Sequence, residues 1–191
     1  ECKVLPVAPF NMRKYFLALI DKEIRAAKKK RSASITIKLN SLVDKDLIDK
    51  LYEAAREGVD VKMIIRSICC VNTELKGVKK NLSAISIVDE YLEHARVFLF
   101  DNGKKPIAYI SSGDWMVRNL DHRVEAACPI YDKEIRQELI DILNIQLAEN
   151  VKGRILDEEQ DNDYVLKAEG EAPLRSQIAI YEYLKSKVYT I

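Results

Sequence analysis

SITIKLNSLVDKDLIDKLYEAAREGVDVKMIIR, residues Ser34–Arg66, decides the fold class of this chain. Its first six residues alternate with β-branched content, the pattern of a strand with one face in a core. Asp44 is placed to cap a helix running to about Glu57, and Gly58 is placed to stop it. Val59–Arg66 then reads as a second strand. A strand, a helix and a strand at this spacing make a βαβ unit, whose strands run parallel and whose ligands gather beyond the carboxyl ends. Asn40-Ser41 and Arg66-Ser67 fall at those ends. Arg66 is the more informative, because a cation closing a buried apolar strand needs a partner, either a carboxylate or an anionic ligand. Asn40 reads first as turn chemistry.

Toward the N-terminus, Val4–Pro9 reads as an entry strand or an extended lead. Asn11 is expected to cap a helix with an apolar face of Tyr15, Leu17, Leu19, Ile20 and Ile24. The helix ends in Lys28–Arg31, where cations complement the dipole. Toward the C-terminus, Val71–Leu82 is a polar loop of a length that is often functional or mobile. Ser83–Val88 and Val124–Ile130 read as strands, Asp132 caps a helix to about Leu147, and Val151–Leu156 is a short last strand. Asp157–Asp163 is an acidic loop without metal-loop spacing, and Ala172–Lys187 is a final helix. No repeat or linker divides the chain. Residues 1–191 are therefore expected to form a single α/β domain, with the acidic loop and last helix in 157–191.

Composition narrows the function classes. The chain has 191 residues, is 48% hydrophobic and 32% charged, and carries a formal net charge of +1. That is the make-up of a soluble α/β protein with no global field for nucleic acid or membrane, so a polyanion would have to be met by a local cluster. Cys2, Cys69, Cys70 and Cys128 contain no CxxC pair and are expected to be reduced and mostly buried. No apolar run approaches the roughly 18 residues of a membrane span. No signal peptide is evident, and the cytoplasm is the expected location. Because the chain opens at Glu1 rather than a methionine, a fragment of a longer polypeptide is expected.

Chemistry concentrates in YLEHARVFLFDNGKKPIAYISSGD, residues 91–114. Ala95–Phe100 reads as a strand, Asp101–Pro106 as a hairpin connection, and Ile107–Ser111 as the returning antiparallel strand. On a strand His94 and Arg96 share a face. The hairpin register brings Ser111, Ser112 and Asp114 back toward them. Imidazole can attack phosphorus or shuttle a proton near neutral pH, and arginine neutralises phosphate oxygens, so the set suits phosphoryl chemistry. A lone histidine at a strand end also has a structural reading. Arg118 and Arg123, in the polar turn after Asp114, are further candidates for a phosphate cluster, while Trp115 reads as packing.

The pattern His-x-Arg-x4-Asp followed by Ser-Ser-x-Asp resembles one half of a phospholipase D type site, His-x-Lys-x4-Asp with Gly-Ser-x-Asn. Arg96, Ser111 and Asp114 depart from it. Over nearly the whole chain the sequence resembles the C-terminal portion of bacterial polyphosphate kinase. The resemblance is carried by VAPFNMR (7–13), KLNSLVDKDLIDKLYEAAREGV (38–59), IIRSICC (64–70), ISIVDEYLEHARV (85–97), YISSGDWMVRNLDHRVE (109–125) and RQELIDILNIQLAENVK (136–152). It implies a phospholipase D-like fold, a mixed β-sheet flanked by helices. It also implies reversible transfer of the terminal phosphate of ATP to inorganic polyphosphate with Mg²⁺. ATP, ADP and polyphosphate would be the ligands, with no nucleic acid.

By the same resemblance Arg66 matches an arginine that binds ATP phosphates. His94 matches a second histidine that contacts nucleotide and acts in proton transfer, with Arg96, Ser112, Asp114 and Arg118 in support. The phosphohistidine would lie in preceding domains of the same polypeptide, and a homo-oligomer is expected at full length. Ser67, Gly113 and His122 stand where the family has Gly, Ala and Arg. Two other readings stay open at this point. One is a phospholipase D type phosphodiesterase or nuclease acting as a dimer; the other is a non-catalytic module for polyphosphate binding or assembly.

Overall fold

A computed structural model of the chain describes residues 5–187, so Val4 and Cys2 lie outside the described residues. Among the described residues eight strands, β1 (Val7–Ala8), β2 (Ser34–Leu39), β3 (Asp60–Ile65), β4 (Leu82–Ile87), β5 (Val97–Phe100), β6 (Ile107–Ser111), β7 (Glu125–Ile130) and β8 (Gly153–Ile155), form one sheet in the order β1-β7-β6-β5-β2-β3-β4-β8. The βαβ unit forms as expected: β2 (Ser34–Leu39), α2 (Lys45–Arg56) and β3 (Asp60–Ile65), with β2 and β3 parallel. Asp44 caps α2 by accepting the Leu47 N–H at 3.2 Å. Gly58 has φ +90°, a conformation that glycine adopts without steric cost. β4 (Leu82–Ile87) adds parallel to β3, and β8 (Gly153–Ile155) pairs antiparallel to β4.

On the other side of β2 the sheet turns antiparallel through β5 (Val97–Phe100), β6 (Ile107–Ser111) and β7 (Glu125–Ile130), with β1 (Val7–Ala8) at the edge. The β5–β6 connection is the expected hairpin, with Asn102, Gly103 and Lys104 at positive φ. The first strand of the hairpin begins at Val97, two residues later than the alternation predicts. Bonding to β6 reaches Arg96, whose carbonyl accepts the Ser111 N–H at 3.0 Å, and stops there because the next two groups are diverted: an Arg96 guanidinium N–H takes the His94 carbonyl and the Gly113 N–H donates to Ser111 Oγ, each at 3.2 Å.

Helices cover both faces of the sheet. α1 (Met12–Lys28) and α2 bury Phe16, Ile20 and Leu51 against Phe98 and Phe100, while α4 (Lys133–Leu147) buries Leu143 against Ile64, Ile87 and Val97. Trp115 packs as expected, fully buried with its ring stacked 4.9 Å from Phe98. Asn11 does not cap α1 with its side chain; its Oδ1 accepts the Val7 N–H at 2.6 Å and fixes the turn leading in from β1. The 71–82 loop is anchored by buried Val71, Thr73 and Val78. The free cysteines are more accessible than expected: Cys69 is half-buried, and Cys70 and Cys128 are exposed on loop and edge positions. Among the described residues no helix is long and apolar enough to cross a membrane.

α5 (Ser176–Ser186) packs on α4, and Glu149 ties the two together. This fully buried carboxylate accepts N–H bonds from Val151 at 2.8 Å, Lys152 at 2.9 Å and Ser176 at 2.6 Å. Burial alone would raise its pKa, but these donors outweigh burial and hold it below the ordinary value of 4.5. A carboxylate depressed on folding stabilises above its unfolded value and loses that contribution as pH falls through the folded one. Glu149→Gln turns one acceptor into a donor facing an N–H and is expected to cost about 1–3 kcal/mol at neutral pH. Urea titrations of both proteins should show that gap at pH 7 and its shrinkage once the pH drops below the ordinary glutamate value.

Candidate active site

The carboxyl ends of β2 and β3 stand side by side, with Leu39 opposite Ile65, so the next residues, Asn40 and Arg66, are neighbours. An Arg66 Nη donates to Asn40 Oδ1 at 2.5 Å, while Arg66 Nε is buried and has no partner among the described residues. The N–H of Asn40 donates to Asp114 Oδ1 at 2.9 Å, and that of Ser41 to the same oxygen at 3.2 Å. Asp114, whose side chain is 3% exposed, in turn receives Arg96 Nε and Nη2, each at 3.1 Å. Arg96 Nη2 lies 3.0 Å from His94 Nε2. Five residues from two halves of the sheet thus form one continuous hydrogen-bond relay, Arg66–Asn40–Asp114–Arg96–His94.

The chemistry of the relay fixes a proton. Guanidinium groups only donate, so the contact with Arg96 uses the lone pair of His94 Nε2 and leaves the ring hydrogen on Nδ1. His94 is exposed, and its carbonyl accepts from the same arginine at 3.2 Å. An imidazole held in one tautomer beside a cation, with a second arginine at the other end of the relay, is a surface suited to phosphate oxygens. Ser111 belongs to the same corner, its N–H donating to the Arg96 carbonyl at 3.0 Å.

Two residues singled out in the sequence fall elsewhere. Ser112 points toward β7, where its hydroxyl donates to Glu125 and accepts the Ala126 N–H at 3.1 Å. Arg118 is exposed on α3 (Val117–Asp121) and has no place in the relay. Conversely, Asn40 and Glu125 matter more than their types suggested. Glu125 is buried, accepts Asn119 Nδ2 at 2.8 Å and holds Ser112. Its position directly after the polar turn was the available signal.

The departures from family pattern also have locations. Ser67 is not in the left-handed region, and its N–H donates to the Asn40 carbonyl at 2.8 Å, so the backbone there has no need of glycine. Gly113 is tighter than a mild exchange would suggest: a Cβ would stand 2.9 Å from Glu125 Cγ. His122 ends α3 and is exposed.

The mixed eight-stranded sheet with helices on both faces is a phospholipase D-like fold. Nuc from Salmonella typhimurium, a phospholipase D family member, shares the fold with TM-score 0.59 at 18% identity, over 81% of this chain and 97% of that one. A family model described as polyphosphate kinase C-terminal domain 2 matches residues 5–177. Polyphosphate kinase from Klebsiella pneumoniae is 47% identical over 95% of this chain and 26% of that protein, and the one from Escherichia coli (strain K12) is 44% identical with the same coverage. The crystal structure of polyphosphate kinase from Porphyromonas gingivalis superposes with TM-score 0.94 at 42% identity, over 99% of this chain and 29% of that one. The chain belongs to the polyphosphate kinase family. It spans about a quarter of the length of the curated relatives it matches.

Proposed function

We propose that residues 1–191 act as the single C-terminal domain of a polyphosphate kinase and supply one half of a composite active site. The reaction is reversible transfer of the terminal phosphate of ATP to inorganic polyphosphate, with the phosphohistidine in preceding domains of the same polypeptide. The observation that carries this reading is the relay from Arg66 to His94. It couples a cation at the parallel strand ends to an imidazole of defined tautomer. Arg66 holds nucleotide phosphates through donors that Asn40 leaves free. His94 donates its Nδ1 hydrogen to a phosphate oxygen; as Arg96 turns from the ring toward the phosphate oxygens the Nε2 lone pair is freed to take a proton, and the imidazolium so formed can give one back as charge builds and collapses. Arg96 neutralises that charge while orienting the ring, and Asp114 holds Arg96. Ser112 and Arg118 lie outside the relay, and a supporting role for them rests on the family resemblance alone.

Mg²⁺ accompanies ATP in this reading as part of the substrate. Among the described residues no three His, Cys, Asp or Glu side chains cluster as a metal site. The buried carboxylates Asp114 and Glu125 are already engaged by arginine, amide, hydroxyl and backbone donors. This donor set does not fit a magnesium ion held by the domain alone. The full-length protein is expected to work as a cytoplasmic homo-oligomer, with no nucleic acid and at most peripheral contact with the inner membrane.

The test is transfer of label from the terminal phosphate of ATP into acid-insoluble polymer. The full-length enzyme should incorporate label, whereas this domain alone should not, because it lacks the nucleophile. Steady incorporation by residues 1–191 would overturn the assignment of the phosphohistidine to another domain.

A further inference from the structure

His94 stands at the end of an irregular segment, residues 88–96, between β4 and β5. Such a segment needs external support to hold a side chain in place, because no ladder or helix orders its backbone. The support comes from the far end of the chain. Arg175, at the N-terminus of α5, grips Asp89 with two bonds of 2.7 Å. The Gln177 amide reads the Tyr91 backbone from both sides, accepting its N–H at 2.9 Å and donating to its carbonyl at 2.8 Å. Gln177 Nε2 also donates to Glu93 Oε1 at 3.0 Å.

Glu93, the residue before His94, is held a second way. Its Oε2 receives Lys38 Nζ from β2 at 2.5 Å and Gln146 Nε2 from α4. Lys38 is 6% exposed, Gln146 1% and Gln177 9%, so these bonds are shielded from water, where their loss would leave groups unpaired. Burial lowers the Lys38 ammonium below its ordinary pKa, and Glu93 opposes that shift. The segment borders an open cleft of about 440 Å³ lined by Glu93, His94, Ala95, Leu139 and Leu143 among others. His94 is exposed at the rim of this cleft, and the bonds that hold the residues just before it are polar ones.

We propose that Gln177 and Glu93 are positioning residues for His94, so that the first turn of α5, together with α4 and β2, sets the place of the catalytic imidazole. This rests on the reading of His94 given above. Neither residue touches substrate; each acts through the segment that carries the histidine.

The test is a double-mutant cycle in a full-length enzyme carrying this domain. Gln177→Leu keeps the volume beside Ile180 while removing every bond to Tyr91 and Glu93. A displacement of the ring by a fraction of an ångström is expected to lower kcat by roughly tenfold, with KM for ATP unchanged and a lowered thermal midpoint that still leaves the protein folded at the assay temperature. In a His94→Ala background the same substitution should have no further effect, because the group it positions is gone. An unchanged kcat for Gln177→Leu overturns the proposal. So does an equal fold-loss in both backgrounds, which would mark a general structural role. Glu93→Gln, which keeps the shape but not the charge facing Lys38, runs through the same cycle should Gln177→Leu fail to fold. If His94→Ala itself keeps wild-type kcat, the reading of His94 fails and the proposal with it; if only Gln177→Leu and Glu93→Gln are silent, the positioning role alone fails.

Discussion

His94→Ala in a full-length enzyme carrying this domain is expected to lower kcat by at least ~10²-fold, the usual worth of a positioned acid-base group. The fall should appear in kcat more than in KM for ATP, because the nucleotide keeps Arg66. The structural cost should be slight. His94 is exposed, and its side chain has one hydrogen-bond partner, Arg96, which retains both oxygens of Asp114 after the ring is removed. Circular dichroism and the thermal midpoint should therefore match wild type while label from ATP no longer enters polymer. His94→Gln sharpens the test, since an amide can accept from Arg96 but cannot exchange a proton near neutral pH. It should preserve the relay and still lose the rate. A near-wild-type rate for either variant would remove His94 from proton transfer and leave it as a phosphate ligand at most.

Much of this architecture could be read from residue order because local signals agreed with one another. In residues 34–66 the alternation, the Asp44 cap and Gly58 all specify the same βαβ unit, and the fold places Arg66 where that unit places ligands. The hairpin was equally plain from Asp101–Pro106. The relay was not, and the reason is physical. Its central bonds join a backbone N–H at position 40 to a carboxylate at 114, and no side-chain type signals which backbone donor will be left over at a strand end. Ser112 lies outside the relay because successive residues of a strand face opposite sides of the sheet, and its hydroxyl turns to Glu125. The clamp on residues 89–93 depends on α5, whose amphipathic pattern announces a helix but not its docking partner. The cysteine expectation failed for a simpler reason: small apolar side chains at loop and edge positions are not obliged to be covered.

Asp114→Ala is expected to be the most damaging single change in the domain for fold and rate together. One carboxylate here satisfies two backbone N–H groups from the end of β2 and both faces of the Arg96 fork. Alanine leaves all of these donors unpaired at a site where the side chain is 3% exposed. Breaking a buried, hydrogen-bonded ion pair by deleting one partner costs about 3–5 kcal/mol, a large part of the stability of an ordinary domain. Arg96 would also be free to leave His94, so the rate should fall at least as far as in His94→Ala. Asp114→Asn separates the two effects. Its amide oxygen can still accept from Asn40, Ser41 and Arg96 Nε, which preserves most of the fold, but its NH₂ faces Arg96 Nη2, so the second bond and the charge that align the guanidinium are lost. Urea unfolding should therefore rank wild type, Asp114→Asn and Asp114→Ala in falling order of stability, while labelled-phosphate transfer is crippled in both variants. If Asp114→Asn kept the wild-type rate, the charge of Asp114 would not be what aligns Arg96, and the relay would reduce to two independent halves joined only by backbone.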